Sequence, residues 1–258
     1  MMNRLKTPDG VTVSYDKYGS GPGLLLVHGA FSDHATNWEF VRERLQKRYT
    51  VYAVARRGRG ETDATKGHSV EDEIADTAAV IASIDEPLFL LGHSYGAHVV
   101  LGAAMIETGR VRKLVAYEPA FPASVDKDVM RSLEALASRG EWDEFAETFF
   151  RDMLHVPAEV VEEMRAPEIW SPIIDDAKPS LGDLRAILRY SFNVERFRAL
   201  NVPVMLQVGT ESPRDMYATD ALAAVLPDVR IDELAGQAHE GMTTAPDLYV
   251  ESVCRFLV

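Results

Sequence analysis

The stretch Leu88-Phe89-Leu90-Leu91-Gly92-His93-Ser94-Tyr95-Gly96-Ala97-His98-Val99-Val100-Leu101 decides the fold. An apolar run ends at Gly92, a serine follows between two glycines, and an Ala/Val/Leu-rich run starts at once. That order predicts strand, sharp turn and helix, with Ser94 at the turn. In a G-x-S-x-G turn the backbone at the serine is strained, and a small residue on each side lets strand and helix approach. The hydroxyl is then pushed out above the sheet, at a helix N-terminus where developing negative charge is favoured.

Toward the N-terminus, Leu24-Leu25-Leu26-Val27 is a continuous apolar run of the kind found in parallel strands covered on both faces. It ends at His28-Gly29-Ala30-Phe31. A helix is expected over 38–48, a strand over 50–55, a loop at Arg56-Arg57-Gly58-Arg59-Gly60 and a helix over 70–84. Earlier still, Thr7-Pro8-Asp9-Gly10 is a turn signal, and two antiparallel strands are expected up to Gly19. The spaced glycines Gly19, Gly21 and Gly23 open no helix, so they read as a turn and not as a phosphate loop.

Toward the C-terminus, a strand over 113–117 ends at Glu118-Pro119. The strand–helix alternation to this point predicts a doubly wound, mostly parallel sheet with right-handed crossovers. It then stops: 121–200 reads as helices at 128–139, 141–154, 157–165 and 181–190, with prolines between them. Strands resume at 203–209 and 229–234, with helices over 215–226 and 245–257. The chemical candidates follow the C-terminal ends of strands, where open α/β sheets bind ligands.

The bulk composition narrows the function classes. The 258 residues are 47% hydrophobic and 26% charged, and suffice for a full core without staples. A net charge of −13 argues against nucleic acid or an anionic membrane as partner. The single cysteine, Cys254, reads as a buried helix residue, and its isolation fits a reducing compartment. No apolar run approaches the roughly 18 residues of a membrane span, and residues 1–10 carry no signal-peptide pattern, so a cytoplasmic protein is expected.

With the Gly92-His93-Ser94-Tyr95-Gly96 turn in its strand–helix context, the chain resembles the α/β-hydrolase superfamily. The resemblance implies an eight-stranded, mostly parallel sheet with a helical cap inserted after strand six. Core and cap are then 1–120 with 201–258, and 121–200. Ser94 becomes the nucleophile. His239, in Ala235-Gly236-Gln237-Ala238-His239-Glu240-Gly241 after the last strand, matches the base. An imidazole near pKa 6.5 suits that task at neutral pH. His28-Gly29 marks the oxyanion loop, with His28 structural. The Tyr95 amide is one donor, and Ala30 or Phe31 the other. His93 and His98 read as pocket-edge and helix residues. The Arg56–Gly60 loop resembles a family loop that braces the sheet edge, with Ala55 in place of its acid; a substrate-carboxylate role for one arginine is the alternative.

The acid that orients the histidine is ambiguous. Most relatives place an Asp after strand seven, about three residues past a glycine, where this chain has Ser212 in Gly209-Thr210-Glu211-Ser212-Pro213. Glu211 and Asp215 lie nearby but out of step. Glu118, 24 residues beyond Ser94 at the end of strand six, resembles the acid position of haloalkane dehalogenases. Glu118 is the preferred reading, with Glu211 and Asp215 open.

Haloalkane dehalogenases and epoxide hydrolases carry Asp where this chain has Ser94, so an acyl-enzyme is expected instead of an alkyl ester. The implied activity is a cofactor-free serine hydrolase of a small, largely apolar carboxylic ester or lactone, working as monomer or homodimer. A C–C bond hydrolase, lyase or perhydrolase on the same triad is the alternative enzyme. A non-catalytic small-molecule receptor is the alternative from another class. Phe149, Phe150, Met153, Trp170, Tyr190 and Phe192 are candidate pocket residues, a minority of them facing substrate. No histidine pair has H-x-x-x-H spacing, and no metal site is expected.

Overall fold

A computed structural model describes residues 2–65 and 67–258; Met1 and Lys66 lie outside it. The strands are β1 (Met2–Lys6), β2 (Thr12–Gly19), β3 (Gly23–Val27), β4 (Thr50–Val54), β5 (Leu88–His93), β6 (Val111–Tyr117), β7 (Val204–Gly209) and β8 (Val229–Leu234). They form one sheet in the order β1-β2-β4-β3-β5-β6-β7-β8. The pairs β1–β2 and β2–β4 are antiparallel, and all the others are parallel. The helices are α1 (Glu39–Leu45), α2 (Val70–Ser83), α3 (Tyr95–Ile106), α4 (Lys127–Arg139), α5 (Trp142–Thr148), α6 (Ala158–Met164), α7 (Pro167–Arg189), α8 (Thr219–Ala223), α9 (Gly241–Thr244) and α10 (Pro246–Leu257).

The apolar runs explain the layering. Every residue of β3, β5 and β7 is buried, because helices cover both faces of the central sheet. One face packs on α2 and α3 through Ile74, Ile81, Val99 and Leu101. The other packs on α1 and α10 through Val41, Leu45, Tyr249 and Val253. The edge strand β8 is half exposed.

At the serine turn the two glycines are sterically required. A Cβ on Gly92 would collide with the Gly96 carbonyl, and one on Gly96 with the Val27 carbonyl of the neighbouring strand. Ser94 itself has φ 54°, a left-handed conformation that a non-glycine residue adopts only under constraint.

Between β6 and β7 the chain is helical, α4 to α7, with its own apolar core around Leu133, Phe145, Phe149, Trp170 and Leu181. Two details differ from the sequence reading. A π turn, Phe149–Met153, follows α5 where one continuous helix was expected. And α7 runs unbroken through Pro172 and Pro179, although prolines were expected to separate helices there. Trp170, Ile173, Ala177, Leu181, Leu184 and Ile187 lie on its buried face at helical spacing, and that packing overrides the lost N–H donors. Similarly, the helix expected over 215–226 is a 3-10 turn, Arg214–Met216, followed by the short α8.

Candidate active site

Ser94 and His239 line the same cavity, of about 70 Å³, between the sheet and the helical insert. Ser94 is placed by the turn from β5 into α3, at the positive end of the α3 dipole. His239 sits in the loop between β8 and α9, and that loop is pinned at several points. The Tyr117 hydroxyl, at the end of β6, donates to the Ala238 carbonyl and accepts the Gly241 N–H at 3.1 Å. His93 Nε2 donates to the His239 carbonyl at 3.0 Å.

Glu118 is the carboxylate that meets the histidine. Its Oε2 accepts from His239 Nδ1 at 2.6 Å, and its Oε1 accepts the Gly209 N–H at 2.7 Å. The side chain is fully buried, and its backbone holds φ 44° directly after β6, a strain of the kind that concentrates at functional positions. Glu211 and Asp215 are exposed, and no hydrogen bond joins either to His239. Burial is the largest single influence on His239 and disfavours its charged form. The Glu118 hydrogen bond and charge, with the Glu240 charge, outweigh it and raise the pKa above the ordinary 6.5. With Nδ1–H committed to Glu118, Nε2 is the acceptor nitrogen of the neutral ring.

Two other residues at this site were not anticipated. Tyr217 lines the cavity and stacks on the His239 ring, centroids 5.1 Å apart and planes 18° apart. Asp183, from α7, also reaches the cavity wall. Neither has a signal in sequence, because each is brought in across more than 20 residues of intervening chain by tertiary packing.

Ala30 and Tyr95 both border the cavity. Of Ala30 and Phe31, the two expected alternatives, the Phe31 N–H is donated to Ser180 Oγ at 2.8 Å. Of the anticipated pocket residues, Phe149 and Met153 line the cavity. Phe150 and Trp170 instead pack in the insert's core, and Tyr190 and Phe192 pack edge-on against His98. His93 was expected at the pocket edge. It is instead buried beneath His239, ring centroids 4.5 Å apart, and braces the His239 loop. Burial first, and the charge of His239 second, hold its pKa well below 6.5. Burial likewise takes His98 down to about 4 and His28 well below its usual value.

The arginine loop is buried and paired. Arg56 and Arg59 both clamp Asp183, each with contacts at 2.7 and 3.0 Å. Arg56 also meets Glu73 at 2.9 Å, and Arg57 meets Asp76 at 2.6 Å. None of the three arginines lines the cavity, so the substrate-carboxylate alternative finds no support. Two groups of metal-type donors come together among the described residues: His93, His239 and Glu240, and His68, Glu73 and Asp183. In the first, His93 Nε2 is engaged by the His239 carbonyl and His239 Nδ1 by Glu118, and in the second both Asp183 oxygens are taken by arginines.

A strained serine after β5 and a histidine after β8 now face one cavity on a sheet of this strand order, with a buried carboxylate at the end of β6 behind the histidine. A sequence profile described as "Alpha/beta hydrolase family" matches residues 24–252. The chain belongs to the alpha/beta hydrolase family. Within this family it is similar to 2-(acetamidomethylene)succinate hydrolase of Mesorhizobium japonicum, at 26% identity over 96% of this chain and 92% of that protein. Among solved structures, an alpha/beta hydrolase from Sphaerobacter thermophilus superposes with TM-score 0.84 at 30% identity, covering 99% of this chain and 100% of the other. An esterase from a Rhodococcus species superposes with TM-score 0.77 at 25% identity, covering 99% and 98%. Hydrolase activity is the property these family members share. No helix among the described residues is long and apolar enough to cross a membrane.

Proposed function

We propose that this chain is a serine hydrolase acting on small, neutral carboxylic esters or lactones through an acyl-enzyme. The observation that carries the reading is the 2.6 Å contact between His239 Nδ1 and Glu118 Oε2 at the wall of the cavity that Ser94 enters. A serine hydroxyl is a weak nucleophile until an adjacent base takes its proton. In this reading the Ser94 oxygen attacks the carbonyl carbon while His239 Nε2 takes the hydroxyl proton. Glu118 holds the ring in the required tautomer and stabilises the imidazolium. The Tyr95 and Ala30 amides receive the oxyanion. His239 returns the proton to the leaving oxygen, and water repeats the sequence to release the acid.

The cavity supports the substrate class. Apart from Ser94, Tyr217, Ser124, His239 and the arginine-clamped Asp183, its lining is carbon-rich: Phe121, Val125, Phe149, Met153, Leu154, Leu184 and Ile187 among others. Among the described residues it offers no uncommitted cation to a substrate carboxylate, and it is small, which favours a short acyl chain. The name of the Mesorhizobium relative, with its acetamido group, favours amide hydrolysis as a second reading on the same residues.

Hydrolysis of p-nitrophenyl esters from acetate to octanoate tests the proposal. Turnover is expected to peak at acetate to butyrate and to disappear in Ser94→Ala. Failure of every ester, with the corresponding p-nitroanilides cleaved, would select the amide reading. Labelling of Ser94 by a phosphonate without turnover of either series would point to a receptor.

A further inference from the structure

Ser180 lies fully buried on α7, where the helical insert meets the loop after β3. Its Oγ accepts the Phe31 N–H at 2.8 Å and an Arg59 N–H at 3.1 Å, and donates to Asp176 Oδ2 at 3.0 Å. Phe31 needs such an anchor. Its φ is 53°, in the left-handed region that a bulky side chain avoids, and its ring is stacked on Phe149 of the insert at 4.2 Å.

The other side of Ala30 is held as firmly. The Gly29 carbonyl accepts from Arg56 Nη2 and from His28 Nδ1, each at 2.8 Å. Arg56 and Arg59 both grip Asp183, one helical turn beyond Ser180. Peptide groups are planar. The Gly29 carbonyl therefore fixes the direction of the Ala30 N–H, which belongs to the same plane. The Phe31 N–H fixes the next plane. Both peptides flanking Ala30 are thus pinned by one buried network to which α7 contributes Asp176, Ser180 and Asp183, and α2 contributes Glu73 on Arg56.

We propose that Ser180 is a positioning residue for the Ala30 amide, so that the helical insert supplies the brace for half of the oxyanion site. The inference rests on the serine-hydrolase reading. Without the Ser180 oxygen the Phe31 peptide is free to turn toward a relaxed φ and to carry Ala30 with it. The loss falls on the transition state, where the oxyanion forms, and not on ground-state binding.

The test compares wild type with Ser180→Ala, Ser180→Cys and Ser180→Thr on the best p-nitrophenyl ester, each variant first checked for folding by circular dichroism and thermal melting. Ser180→Ala is expected to lower kcat by about tenfold or more, since small misplacements of a donor are costly, while KM changes less than about threefold. A trifluoromethyl ketone forms a hemiketal oxyanion on Ser94. Its affinity should fall in step with kcat, whereas the matched methyl ketone should bind as before. Ser180→Thr keeps the acceptor and should restore most of kcat; Ser180→Cys, a weaker acceptor, should fall between and serves if the alanine variant does not fold. Undiminished kcat in a folded Ser180→Ala or Ser180→Cys protein overturns the assignment, as does a loss carried equally by KM and the methyl ketone. Wild type that turns over no ester or amide overturns the serine-hydrolase reading itself, a result separable from any effect of Ser180.

Discussion

The hydrogen bond between His239 and Glu118 sets the expected pH behaviour. A base must be neutral to accept a proton, and Glu118 stabilises the charged ring, so His239 titrates above 6.5. kcat/KM is therefore expected to rise with pH through a value above 6.5, and a stopped pH–rate series from pH 5 to 9 measures it. In Glu118→Gln the carboxylate is gone while burial remains. The limb should move to lower pH, and kcat should fall by on the order of 10³–10⁴ as the tautomer and the imidazolium lose support. A Gln variant with the wild-type limb would remove Glu118 from the mechanism. The same contact bears on stability with the opposite sense of pH. A histidine whose pKa is raised by folding contributes stability that is complete below 6.5 and is lost as pH rises through the folded value.

Among the elements, α7 departs furthest from local propensity. Pro172 lies in the helix interior and is exposed, so its ring gains little from packing and its nitrogen donates nothing to the preceding turn. Pro172→Ala restores the donor at the cost of a less constrained unfolded chain. The balance should be a gain of about 1–2 kcal/mol, read as a higher urea midpoint at unchanged slope. A lower midpoint would mean that the proline ring fills a contact the helix needs. The π turn after α5 acts differently: the Leu154 N–H bonds back to the Phe149 carbonyl at 3.0 Å, and Phe149, Met153 and Leu154 all reach the cavity from this irregular turn.

At the scale of the molecule, the insert and the sheet are joined by charge as well as by apolar packing. Asp183 of α7 sits between Arg56 and Arg59 of the loop after β4, all three essentially out of solvent. Removing one member of such a buried set leaves the others uncompensated, so Asp183→Asn should destabilise the protein by about 3–5 kcal/mol. Chemical denaturation measures this, and a change below about 1 kcal/mol would show that the arginines find other partners. The cost is expected to appear in the whole transition, because α7 contributes to the cavity, to the loop after β3 and to the insert's core together.

Much of this architecture is written locally in the chain. The unbroken apolar runs of β3, β5 and β7 can be buried only with helices on both sides, and the serine between Gly92 and Gly96 admits one kind of turn, because any Cβ there meets backbone. Ser94 is legible because it follows β5 at once, and His239 because it sits in the glycine-bearing loop after the last strand. Glu118 was legible as a candidate for the same reason, but its choice over Glu211 and Asp215 depended on which carboxylate crosses the end of β7 to reach His239. The roles of His93, Tyr217, Ser180 and Asp183 had no local signature. A buried serine or aspartate inside a helix looks like any other polar residue until the partner it satisfies, 149 residues away for Phe31 and Ser180, is folded against it. Pattern determined the sheet and the strand-end positions of the candidate residues, since both follow from neighbours in sequence; the cavity lining and the carboxylate that meets His239 were decided by tertiary contacts, where the energy of pairing a buried polar group depends on what the rest of the chain brings to it.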